Sequence, residues 1–195
     1  MKQVIFDVET KRTFDEVGGV FPEKLGISYI GVCVREHHNT DGEVFGFFEK
    51  DIPDFLSLLE SADVVVGFNS DHFDLPTLLA YNSDLNLREM PSLDLMARIK
   101  DSAGHRIGLD AVAKETLGVG KTGDGLDAIK YYQTKNWDAL AKYCLQDVAV
   151  TRDIYDHGVG KGHVLFKNKW NRLITCPVDF SFTPVKKVGT QRSLF

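Results

Sequence analysis

The sequence predicts a single α/β domain. Its mixed sheet is antiparallel in the first strands and parallel afterwards, flanked by helices and extended by a C-terminal β-hairpin and tail. Two observations carry that expectation. Three β-rich runs come first, joined by turn-like segments, and only then do helical and strand rhythms alternate. The 195 residues are 43% hydrophobic and 26% charged, which is enough apolar side chain for one sizeable core.

Residues 2–8 form a nearly all-apolar run that reads as a buried strand, followed by a polar, Gly-containing connection up to residue 24. Ile27–Arg35 and Glu43–Glu49 are β-rich, and Asn39-Thr40-Asp41-Gly42 between them has turn chemistry, so an antiparallel meander is expected. The rhythm changes at Pro53–Ser61, where Phe55, Leu58 and Leu59 have helical spacing. Asp63–Phe68 is a further buried strand, and Pro76 opens another helix. Leu109–Leu117 reads as a short helix ended by Gly118, and 118–136 as a Gly- and charge-containing loop. Trp137–Asp156 is a long helix capped by Asn136 and closed by Gly158. His163–Asn168 and Leu173–Val178 form a final hairpin, which makes 1–180 one domain with 158–180 as its hairpin extension. Residues 181–195 lack periodicity and read as a basic flexible tail; there are no internal repeats.

Composition excludes several classes. No apolar run approaches the roughly 20 residues a membrane span needs. The N-terminus leads straight into an acid-containing strand, unlike a secretory signal. Cys33, Cys144 and Cys176 are odd in number and form no CxxC pair, so neither a disulfide framework nor a zinc site is indicated and a cytoplasmic location is expected. The histidines show no ligand spacing. Gly120-Lys121-Thr122 is similar to the end of a phosphate-cradling loop, but Glu115 stands where that pattern needs glycine and a helix precedes it, which excludes an NTPase. The net charge of −5 is unevenly spread: residues 158–195 carry seven basic residues against Asp179, while 1–157 hold 16 basic and 27 acidic residues. That division suits a solvated body with a solubilising tail, and equally an enzyme that gathers metal with carboxylates and steers phosphates with its tail.

Three features carry chemistry. Asp7-Val8-Glu9 ends the first apolar strand, and positions two apart share a face, so two like charges sit together at a sheet edge, where a cation would relieve them. An ordinary strand end turning into solvent would look the same. Asp147 falls in the middle of the apolar arc of the long helix, close to Leu140 and Ile154. A carboxylate there needs a partner, whether a cation, an arginine or a proton. Tyr143 lies one turn earlier on the same flank. Asp74 stands two residues before Pro76, where a buried strand gives way to a helix; it is either a plain N-cap or a carboxylate facing the crevice at the strand's C-terminal edge.

Taken in order, DxE on the first strand, Asn69-x-x-x-Phe73-Asp74 after a strand and Tyr143-x-x-x-Asp147 on a late helix resemble the tyrosine-type branch of the DEDD exonuclease superfamily, which has an RNase H-like fold. The set is similar in particular to the proofreading exonuclease domain of family B DNA polymerases and to stand-alone bacterial relatives, over about residues 1–157. The histidine-type branch has its histidine five residues before the last Asp, and that position here is Lys142. The resemblance implies that Asp7, Glu9, Asp74 and Asp147 bind metal and that Tyr143 orients or helps activate the attacking water. Two cations about 4 Å apart serve such a hydrolysis, and hard carboxylates suit Mg²⁺ or Mn²⁺.

Asn69 and Phe73 occupy motif positions and, with Thr10, are expected beside the substrate, although Phe73 reads first as a core residue. His105 and Arg106, in the loop Ser102–Arg106, could reach a phosphate. The expected reaction is 3′→5′ removal of mononucleotides from DNA, single strands favoured. An exoribonuclease with the same site and a non-catalytic module binding nucleic acid or a clamp stay open as alternatives. Finally, Gln191-Arg192-Ser193-Leu194-Phe195 resembles the peptide with which bacterial replication and repair proteins dock on the sliding clamp; Gln191, Ser193, Leu194 and Phe195 would make that contact.

Overall fold

A five-stranded sheet in the order β3-β2-β1-β4-β5 forms the centre of the molecule, described here by a computed structural model for residues 1–38, 40–82, 90–120, 123 and 125–182. Strands β1 (Gln3–Thr10), β2 (Ile27–Arg35) and β3 (Glu43–Phe48) make the expected antiparallel meander. Strands β4 (Val64–Gly67) and β5 (Ser92–Asp94) add to the other side of β1 in parallel. The mixed sheet flanked by helices is the RNase H-like arrangement the sequence implied.

Side-chain alternation along β1 assigns its two faces. Val4, Phe6 and Val8 join a core with helix α1 (Ile52–Ser61) and helix α2 (Asp74–Leu78), through Phe55, Leu59, Leu75 and Leu78. Ile5 points the other way, into a core formed with α3 (Leu95–Ala103), α4 (Leu109–Thr116) and the long helix α6 (Trp137–Lys161). Asp7 and Glu9 share the Ile5 face, so period-two geometry turns both towards α6.

Three expectations need correction, and one alternative falls. The stretch 118–136 is not loop throughout: Gly125–Gln133 is a helix, α5, with Ala128 and Ile129 buried and Ala128 clustered with Tyr29 and with Leu140 and Cys144 of α6. Between the Pro76 helix and Leu109 the sequence suggested only the loop Ser102–Arg106, yet β5 and α3 lie there, and α3 takes in Ser102 and Ala103. Helix α3 is capped by the Asp94 carboxylate, which accepts from Ala97 N at 3.2 Å, and it ends at Gly104 in the left-handed region with φ 79°. Helix α6 runs past Gly158 to Lys161 and ends at Gly162 (φ 70°). Gly158 is an interior residue, and its lack of a side chain makes room for the Phe180 ring. Asp74 is not a cap; it is the first residue of α2, and its carboxylate bonds elsewhere.

The terminal strands β6 (His163–Lys167) and β7 (Leu173–Pro177) form the anticipated hairpin, packed on α4 and α6. Among the described residues no helix is long and apolar enough to cross a membrane.

Candidate active site

The C-terminal end of β1 lies under α6. Opposite Asp7 on β2 stands Gly31, and a Cβ there would come within 3.0 Å of both Cys144 Sγ and Val148 Cγ2. The glycine therefore lets α6 sit close to the strands at the level of Asp7. Register shifts between Glu9 and Thr10, a bulge that twists the strand end beside the carboxylates.

Asp7 is half-buried and Glu9 is 8% exposed. Cys144, buried on α6, lies 3.4 Å from the Asp7 main-chain oxygen and 3.5 Å from Asp7 Oδ2. Its sulfur and one carboxylate oxygen each from Asp7 and Glu9 fall within 4.8 Å of one another. Asp74 reaches the same strand end from α2: Asp74 Oδ1 accepts from Val8 N at 2.8 Å. Tyr143 and Asp147, one helical turn apart on α6, face Asp7 and Glu9 across a cavity of about 340 Å³. Thr10 and Phe73 also line that cavity, and its outer wall is formed by Arg12, Phe14, Leu25, Leu126 and Ile129. Phe14 and Phe73 meet edge to face, with ring centroids 5.9 Å apart.

Burial and like charge dominate the electrostatics at Asp7, Glu9 and Asp74. Burial pushes the Asp7 carboxyl up to about 6, against hydrogen bonds with Cys144 and Glu9 that hold it down. Glu9 is pushed well up by burial and then by the charges of Asp7, Asp147 and Asp74. Asp74 is pushed well up by burial and then by Asp7, with the Val8 N–H acting against the shift. Burial and then the charges of Asp147, Glu9 and Asp7 raise the Tyr143 phenol, so it stays protonated. Among the described residues, no lysine or arginine pairs with Asp7, Glu9 or Asp74.

The remaining expected residues are distributed unevenly. Asn69, in the left-handed region at φ 68°, and Arg106 sit together in a neighbouring cavity of about 170 Å³, where Arg106 Nη2 donates to Asn69 Oδ1. His105 does not face either cavity: its ring packs edge-on against Phe166 at 6.0 Å. Gln191, Ser193, Leu194 and Phe195 lie outside the described residues.

Sequence reasoning missed Asp94, which accepts from Asn69 N at 2.8 Å and Asp71 N at 3.2 Å and so fixes the loop before Asp74. Its signal was an acid directly ahead of Leu95 and Ile99, spaced four apart, with Gly104 beyond them. It also missed Arg12 and the α5 residues Leu126 and Ile129.

Residues 4–159 match the family RNase_H_2 of the RNase_H superfamily. The chain belongs to the RNase_H superfamily. The matched span of this RNase_H-superfamily domain runs from β1 into α6 and contains all five of Asp7, Glu9, Asp74, Tyr143 and Asp147. Its fold is similar to that of the family B DNA polymerase from the hyperthermophilic archaeon Pyrobaculum calidifontis, with a TM-score of 0.61 at 21% identity. That likeness covers 82% of this chain and 24% of the polymerase, so the domain spans about a quarter of that protein's length. No curated protein sequence matches the chain.

Proposed function

We propose that the chain is a divalent-metal-dependent 3′→5′ exonuclease of the tyrosine type, removing mononucleotides from DNA ends and preferring single strands. The observation that carries this reading is the convergence of Asp7, Glu9, Asp74 and Asp147, from three separate stretches of chain, on one strand end, with Tyr143 over the same cavity. Membership of a superfamily whose members are typically nucleases supports it.

The donor set fits hard divalent cations. Asp7, Glu9 and Asp74 are held towards their protonated forms by burial and by one another, and a cation would let them ionise. Asp7, Glu9, Asp74 and Asp147 would hold two Mg²⁺ or Mn²⁺ ions. Cys144 is not part of that set, because its soft sulfur does not suit Mg²⁺ or Mn²⁺ and its thiol donates to the Asp7 main-chain oxygen at 3.4 Å. When bound, the cations lower the pKa of the attacking water and offset charge on the leaving 3′ oxygen.

The protein's own groups do the rest. The Tyr143 hydroxyl donates a hydrogen bond that orients the water, a positioning role, since an ordinary phenol is protonated near neutral pH and burial raises this one further. Phe14, Phe73, Leu126 and Ile129 offer an apolar wall to the terminal nucleoside, and Arg12 a cation to its strand.

The test is digestion of DNA and RNA strands labelled at the 3′ or 5′ end, with Mg²⁺ or with chelator. Mononucleotides released from the 3′ end of DNA support the reading. Cleavage of RNA alone moves the assignment to an exoribonuclease, and binding without any cleavage moves it to a non-catalytic module. We extend the proposal to the C-terminus: Gln191–Phe195 docks weakly, in about the micromolar range, on a bacterial sliding clamp that raises local enzyme concentration on DNA. Changing Leu194 and Phe195 to Ala should abolish binding to the purified clamp and leave activity on short free oligonucleotides unchanged.

A further inference from the structure

The β6–β7 hairpin begins beyond the matched residues 4–159 and differs in charge from the rest of the molecule. From His163 to Val178 the sequence holds Lys167, Lys169 and Arg172 and no acid, whereas residues 1–157 carry 16 basic against 27 acidic residues. The strands pair out to Lys167 and Leu173, which leaves Asn168–Arg172 as the tip. The tip is tied by its own hydrogen bonds: Asn168 N donates to Arg172 O at 3.0 Å, and Asn171 N to Asn168 O at 2.9 Å. Asn168 Oδ1 accepts from Trp170 N at 3.0 Å and from Arg172 N at 3.1 Å. On this braced turn Trp170 is 69% exposed, with Lys169 Nζ 4.5 Å from the centre of its ring.

A large aromatic held in water by an ordered, basic turn does nothing for the core, but it suits a base-stacking platform. Its surroundings lead back to the carboxylates. Phe166, just before Lys167, packs against His105; the adjacent Arg106 donates to Asn69 Oδ1. Asn69 O accepts from Phe73 N at 3.1 Å, and Phe73 lines the carboxylate cavity. Lys100 and Arg106 line the Asn69 cavity together with Asp94 and Asp101.

We infer that the hairpin tip is a second nucleic-acid contact, where Trp170 stacks on a base and Lys169 and Arg172 meet phosphates of a single strand whose 3′ end occupies the carboxylate cavity. The inference rests on the nuclease reading for the identity of that strand, but its test does not require cleavage. The braced turn keeps the ordering cost of the contact low.

The experiment is a titration in chelator with a long oligodeoxythymidylate and with a trinucleotide. Binding is followed by tryptophan fluorescence in Trp137→Phe protein, where Trp170 is the remaining one of two tryptophans. The long strand should quench Trp170. Trp170→Ala should raise the Kd for that strand about tenfold, as loss of one stacked base does, measured by anisotropy of labelled DNA. Lys169→Ala with Arg172→Ala should flatten the dependence of Kd on salt. Affinity for the trinucleotide should not move.

An unchanged Kd for the long strand in Trp170→Ala overturns the inference, as does an equal loss on blunt duplex, whose bases cannot stack on the ring. A change in self-association in place of a change in DNA affinity overturns it too. Should Trp137→Phe misfold, the anisotropy arm decides alone, since Trp170 lies outside the core. Quenching without any metal-dependent cleavage would sink the nuclease reading and leave this contact standing. Cleavage of long strands at an unchanged KM in Trp170→Ala would do the reverse.

Discussion

The two ends of strand β1 bury charge in opposite ways. At its start, Arg35 is 3% exposed and fully answered. Its Nη1 and Nη2 grip both oxygens of Asp156 on α6 at 2.8 and 2.6 Å, and its Nε donates to Gln3 Oε1 at 2.8 Å. The guanidinium also stands 5.6 Å from the centre of the Tyr155 ring. At the other end, α6 brings another acid, Asp147, to Asp7, Glu9 and Asp74, and the largest charge effects on Glu9 come from these three acids. A buried charge with its hydrogen bonds filled is neutral to mildly stabilising at best, and breaking it is costly. A buried cluster of like charges lowers stability, and in the proposed reading a bound cation offsets that cost. The contrast separates scaffold from site on the same strand and the same helix.

The largest effect that would sharpen this contrast is on activity. Asp7→Ala or Asp147→Ala should abolish nuclease activity, and in Asp7→Ala the melting temperature should stay level or rise, because a buried like charge is removed. Cleavage at a near wild-type rate in either variant would dissolve the distinction. Tyr143→Phe keeps the ring and removes the hydroxyl, so kcat should fall by about 10²–10⁴-fold with little change in melting. Loss of stability with full activity would instead make Tyr143 a core residue. At the opposite end the pattern inverts: Asp156→Ala leaves Arg35 buried without its carboxylate and should cost about 3–5 kcal/mol in chemical denaturation. Activity per folded molecule should be retained, and a stable, inactive Asp156→Ala would show that the two ends are not independent.

Much of the carboxylate end was legible in the sequence, because its logic is periodic. Apolar residues around Asp7 marked a buried strand, period two put Glu9 on the same face, and the helical wheel put Asp147 and Tyr143 on the inward arc of α6. What period cannot give is register and distant pairing. That Gly31 stands opposite Asp7 and admits Cys144 follows from strand alignment alone. Gly158 looked like a helix stop because its role depends on Phe180, 22 residues later. Helix α5 was hidden by the glycines and charges around it, and α3 by having only Leu95 and Ile99 as its buried residues. The pairing of Asn69 with Arg106 depends on how two loops meet, for which no local signal exists.

The last and smallest effect is on stability against pH, and it tests how strongly burial and like charge act on Asp7. The Asp7 carboxyl sits at about 6 in the fold against an ordinary 3.8, so the folded protein holds that proton more tightly than the unfolded chain does. Its contribution is therefore fully present below about pH 4 and is lost as pH rises through about 6. Glu9 and Asp74, raised well above their ordinary values, extend the loss to higher pH. In chelator, wild type should thus lose stability relative to Asp7→Asn between about pH 4 and 6, by on the order of 2 kcal/mol or a few degrees in Tm. The difference between the two proteins is the proper measure, since Glu49, held low by Lys11, and the other carboxylates elsewhere titrate equally in both. Saturating Mg²⁺ or Mn²⁺ should remove the deficit by binding only the folded, ionised cluster. Scanning fluorimetry across this pH range, with and without cation, decides the matter. If wild type and Asp7→Asn run parallel in chelator, the carboxylates at this end of β1 are already balanced within the chain, and the contrast with Arg35 and Asp156 fails.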